Sequence, residues 1–167
     1  MSDTRRNSRI RFVGAAMVLF AGAISTLTPG LAYGGEMEEY AIGARRGYFS
    51  LVGWHFGPLG AMAKGEMAYD AGAASAHAQN LKWLTGYDVL PLFVPGTTKE
   101  AYKGKTRALP KLWDELDDAK ANYEDFKTEL GKLAEVAGNG SEALAAQVKV
   151  VGKTCGGCHK PYRAKKF

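Results

Sequence analysis

Leu112, Leu116, Ala119, Tyr123, Phe126, Leu130 and Leu133 follow one another at alternating intervals of four and three. An α-helix gathers residues so spaced along one side, because its turn returns a side chain to the same face every three to four positions. Three further segments read as helices, and no run of alternating apolar and polar residues with β-branched enrichment interrupts them. The chain is therefore expected to be all-α.

The first helix is expected from about Met37 to Ala63, with Glu38 and Glu39 at the positive end of its dipole. Its inward stripe is Ile42, Phe49, Val52, Phe56 and Leu59, and one basic residue, Arg45, sits inside that stripe. Pro58 is expected to bend or break the final turns. The second helix starts at Asp70 as N-cap and reaches about Leu84. Pro110 opens the third at its first helical position, and Gly138-Asn139-Gly140 stops it. Ser141 is expected to cap the fourth, whose inward residues are Leu144, Val148, Val151, Cys155 and Tyr162. Four helices joined mostly by short turns imply an antiparallel four-helix bundle. The exception is a long connection between the second and third helices, Thr85 to Leu109. Its cluster of Leu90, Leu92, Phe93 and Val94 should pack over something, closing one side of a site.

The N-terminus has a different character. Arg5, Arg6, Arg9 and Arg11 precede an apolar run from Phe12 to Ile24, and small residues follow from Leu31 to Gly35. This is the pattern of a secretory signal, cut near Ala32 or Gly34; the run is short for a membrane span, an uncleaved anchor being the alternative. Residues 1–34 then form a signal peptide and residues 35–167 one domain. The net charge of +5 falls with that segment, because 18 basic and 16 acidic residues remain. No basic stripe for nucleic acid is left, and export places the cysteines outside the reducing cytosol.

Both cysteines stand in Cys155-Gly156-Gly157-Cys158-His159, the C-x-x-C-H pattern of c-type haem attachment. On a helix, Cys155, Cys158 and His159 share about one face, so two thiols can meet the haem vinyls while the imidazole reaches the iron. The two glycines are expected to clear space for the porphyrin edge. Three other chemistries compete. A redox C-x-x-C pair normally opens a helix next to a strand, zinc wants four ligands where three cluster, and a disulfide here closes a very small loop.

A C-terminal "CGGCHKPYR" on the last helix of a bundle resembles the class II cytochromes c, in particular cytochrome c′. Arg45 with Phe49, "HFGPLGAMAKGEMAYD" at 55–70 and "FVPGTT" at 93–98 extend the likeness over nearly all of the mature chain. The resemblance implies one covalently attached haem c per chain, with Cys155 and Cys158 forming the thioethers and His159 the axial iron ligand. It places Phe49, four residues after an arginine, on the distal side of the iron, where low-spin relatives carry methionine. Phenylalanine has no lone pair to offer, so the family pattern implies five-coordinate, high-spin haem. As a structural element alone, Phe49 simply fills the bundle core.

Other candidate ligands fall short. Met37 and Met62 lie about 18–20 Å from Phe49 along the helix axis at 1.5 Å per residue. His55 lies about 90° from the centre of the apolar stripe, at the rim or an interface, and His77 is expected in solvent. Arg45 needs an anion on its inward stripe, and a haem propionate fits; a snorkelling arginine is the alternative. Arg163 matches the family's arginine near the proximal pocket, or is a solvated cation. Thr97 and Thr98 match a loop position that contacts a propionate in relatives, although relatives often have glutamate where Thr98 stands.

The function so implied is binding of small neutral gases, nitric oxide and carbon monoxide, beside single-electron exchange in the periplasm. No catalytic turnover is expected, since no acid–base pair can be placed beside the iron. A homodimer through the first two helices is implied, with the redox partner unidentified. The alternatives are a low-spin, six-coordinate electron carrier without gas binding, and a haem-free helical module whose cysteines pair.

Overall fold

The computed structural model describes residues 30–167, with side chains from Gly35 onward. The expected signal segment lies almost wholly outside them. The described chain folds as α1 (Gly30–Lys64), α2 (Ala71–Leu84), α3 (Lys111–Asp114), α4 (Leu116–Val136) and α5 (Ser141–Tyr162). A 3₁₀ turn, Leu90–Leu92, interrupts the long connection after α2. Helix α1 packs on α2 and α5, and α4 packs on the same two, so the four long helices close a ring of neighbours. This is an antiparallel four-helix bundle.

The apolar stripes meet in one core. Val52 and Leu59 of α1, Ala78 and Leu81 of α2, Leu130 and Leu133 of α4, and Leu144 and Val151 of α5 are buried together. Within it Tyr48 and Tyr123 share a hydroxyl–hydroxyl hydrogen bond of 2.9 Å. The long connection adds to this core, with Val89 fully buried and Leu90, Leu92 and Phe93 packed against it. A smaller cluster of Leu112, Ala119 and Tyr162 fastens α3 to the end of α5.

Four sequence expectations change. Of the two outcomes expected at Pro58, bend or break, the break does not occur, and α1 continues to Lys64. Proline removes the bond to the carbonyl one turn earlier, that of Trp54, and Trp54 lies on the outward side where water can take the bond's place. The third helix is broken at Glu115, whose φ of −121° and ψ of 43° separate α3 from α4. There Trp113 Nε1 donates to the Phe93 carbonyl at 2.9 Å, so the short helix is tied to the loop. Pro110 stands before α3 as its N-cap, one position earlier than expected. Ser141 is exposed and caps nothing; Gly140, at φ +120°, precedes α5 without a side-chain cap. Instead the Tyr69 hydroxyl accepts from Gly140 N and donates to the Ala137 carbonyl, both at 2.9 Å. Asp70 does cap α2, accepting from Ala73 N at 2.7 Å.

The C-terminal end of α5 is joined to the loop before α3. Leu109 N donates to the Tyr162 carbonyl and Ala164 N to the Arg107 carbonyl, with an isolated antiparallel bridge between Ala108 and Arg163. This tie brings residues 106–108 beside the C-x-x-C-H segment.

Candidate haem site

Residues 155–159 lie on α5 against a cavity of about 490 Å³. Cys155, Cys158 and His159 all line it, as one helix face requires, together with Phe49 and Phe56 of α1 and Phe126 of α4. Gly156 and Gly157 do not line it. A Cβ at Gly157 would meet Asn122 Oδ1, the tip of an α4 side chain, at 2.8 Å, so this glycine leaves room for Asn122.

The chemistry of the three donors separates the competing readings. The two thiols are unbridged, and burial pushes both above the ordinary cysteine range, with Arg163 opposing it in each case. A redox C-x-x-C needs the opposite shift. Among the described residues no three His, Cys, Asp or Glu side chains converge in a way that could hold a metal ion, which leaves zinc without its donor set. Burial, and then the cations Arg163 and Arg107, lower His159 to a pKa of about 4. Its imidazole is neutral at pH 7, with a ring nitrogen lone pair free for iron.

The Phe49 and His159 rings meet edge to face, the centroids 6.4 Å apart and the planes at 68°. Tyr48 and Phe93 hold it in turn with edge contacts at 5.1 and 6.5 Å. No methionine and no second histidine lies among the lining residues.

Arg45 is only 3% exposed. Its two terminal nitrogens donate to Thr97 Oγ1 at 2.7 Å, the Thr97 carbonyl at 2.8 Å and Thr106 Oγ1 at 2.7 Å, and its guanidinium lies 5.1 Å from the Phe93 ring centre. Burial lowers its pKa to about 10, so it remains charged. None of the ion pairs among the described residues includes it. Arg46, Arg107 and Arg163 also line the cavity and no acidic residue does. A buried cation with only neutral acceptors, beside a mouth of one sign, fits a group that carries carboxylates.

The expected residues divide by position. Neither Thr97 nor Thr98 lines the cavity: Thr97 is fully buried under Arg45, whereas Thr98 is half-exposed and its hydroxyl accepts from Ala101 N. Arg163 lines the cavity. His55 does not; it pairs with His77, which is half-buried rather than in solvent. Sequence reasoning missed Thr106, Arg46, Arg107 and Phe167. Thr106 and Arg107 reach the site through the long connection and Phe167 through the tail after α5, where no periodicity marks an inward position, while Arg46 lies on α1 next to Arg45 but outside the apolar stripe. Arg46 and Arg107 hold the Phe167 ring, at 5.3 and 5.4 Å.

Comparison with known proteins agrees with this geometry. The family model described as cytochrome C′ matches residues 40–163. A cytochrome c′ of Cereibacter sphaeroides is 48% identical over 128 residues, 77% of this chain and 85% of that one. A cytochrome c′ of Halomonas halodenitrificans is 39% identical, over 75% of this chain and 97% of its own. A solved cytochrome c′ structure from Rhodobacter Spheriodes superimposes with a TM-score of 0.74 at 47% identity, covering 77% of this chain and 98% of that one.

Proposed function

The chain belongs to the cytochrome c′ family, haem c proteins of the electron-carrier type, and from that premise we propose that it is a periplasmic, gas-binding cytochrome rather than an enzyme. Cys155 and Cys158 would hold one haem c per chain through thioethers, and His159 would ligate its iron. When bound, that group supplies single-electron exchange and one open coordination position for nitric oxide or carbon monoxide. Phe49 carries the reading, because its hydrocarbon ring faces His159 and no methionine or second histidine lines the cavity.

The surrounding residues have separate tasks. Phe49 and Phe93 exclude water and make entry of charged ligands costly, while small neutral molecules lose little on leaving water. Arg45, fixed by Thr97 and Thr106, would neutralise a haem propionate, and Arg163, which also lines the cavity, would help. Phe167, held between Arg46 and Arg107, covers the mouth.

Residues 1–34 would direct export and be removed. Among the described residues no helix is long and apolar enough to cross a membrane. Leu51, Trp54 and Trp83 are exposed on α1 and α2, and a homodimer through these helices would cover them. A spectrum of the reduced, exported protein with and without nitric oxide tests the proposal. A high-spin spectrum that changes on adding the gas is expected; a low-spin spectrum indifferent to it would establish the plain electron carrier instead.

A further inference from the structure

His55 of α1 and His77 of α2 meet at the seam of these helices, outside the haem cavity, with Nδ1 atoms 3.1 Å apart and ring centres 5.3 Å apart. Metal–nitrogen bonds of about 2.0–2.1 Å place two cis ligands about 2.9 Å apart at right angles and about 3.3 Å apart at a tetrahedral angle. The observed separation falls between these values. Both rings are half-buried. Burial, and then His77, lower the pKa of His55, which keeps its ring nitrogen available at neutral pH. Neither ring has another hydrogen-bond partner among the described residues, so no carboxylate or carbonyl competes for the paired nitrogens.

We propose that His55 and His77 chelate a divalent first-row metal ion through their Nδ1 atoms, forming a second metal site independent of the haem. Imidazole pairs with open positions follow the order in which Cu²⁺ binds most tightly, ahead of Ni²⁺ and Zn²⁺. The two helices already hold the rings at bite distance, so little conformational freedom is lost on binding. The proposal does not depend on gas binding or on the state of the iron.

Calorimetric titration of tag-free, haem-loaded protein with Cu²⁺, and paramagnetic resonance of the product, test it. The expected result is one ion per chain with hyperfine coupling to two imidazole nitrogens. His55→Gln and His77→Gln should each weaken binding by about tenfold or more, at least the loss that follows removal of a ligand's own hydrogen-bond partner. Haem absorbance and helical circular dichroism of both variants should be unchanged, which separates lost ligation from lost fold. Absence of Cu²⁺ binding would show that the pair is only an N–H···N hydrogen bond, and equal binding by both variants would place the ion elsewhere; either result overturns the proposal.

Discussion

Replacing Arg45 by leucine would remove its bonds to both Thr97 oxygens and to Thr106 Oγ1 and leave buried acceptors unpaired. The loss should be about 2–4 kcal/mol, read as a lower denaturant midpoint, and Arg45→Lys should restore little because a point charge cannot fork to both threonines. At Phe49 the change is chemical rather than structural. Phe49→Met puts a thioether where the hydrocarbon ring faces His159, and the reduced protein should become low-spin and lose most of its affinity for carbon monoxide, as a spectral titration would record. At this scale the sequence shows chemistry that depends on spacing. The three-and-four interval of Cys155, Cys158 and His159 specifies one shared helix face. Phe49 needed the family pattern to become a distal residue, since a phenylalanine in an apolar stripe is otherwise core. Thr106 was invisible because its role comes from the fold of an irregular loop. Thr97 and Thr98 could not be told apart for the same reason: which of two adjacent loop residues accepts from Arg45 is set by backbone angles that composition does not encode.

Helix ends depend on single backbone conformations. Gly140 at φ +120° and ψ 158° occupies a region nearly closed to side chains, and Tyr69 fixes its amide in the turn between α4 and α5. Gly140→Ala should therefore destabilise the fold by about 1–3 kcal/mol, measured by denaturant unfolding, with the haem spectrum retained. Capping by Ser141 was a fair expectation from residue type, but the tyrosine from a distant turn does that work, and no local pattern could announce it. The break at Glu115 was hidden differently. Leu112 and Leu116 continue the spacing of α4 across it, because α3 buries the same stripe against Tyr162 while Trp113 binds the loop. A period reports which side is buried and stays silent when the backbone changes direction without changing that side. Pro58 was the converse case, a residue that breaks helices in general yet sits where water can satisfy the freed carbonyl.

The bundle itself was legible because short turns leave few arrangements for four amphipathic helices, and the packing of Leu90, Leu92 and Phe93 followed from their being apolar. The surface is less constrained. Trp54 and Trp83 are 71% and 70% exposed, an arrangement that a second copy would relieve. Trp54→Glu and Trp83→Glu should each shift sedimentation toward the monomer without altering the haem spectrum, since neither residue lines the cavity. The cavity joins these scales: one face of α5 supplies every donor, α1 faces it with hydrocarbon, and four arginines, Arg45 among them buried, line it. Magnetic circular dichroism of the dithionite-reduced, exported protein reads the coordination of its iron directly. A five-coordinate, high-spin ferrous signal is predicted; a six-coordinate, low-spin signal in the absence of added ligand would contradict the account.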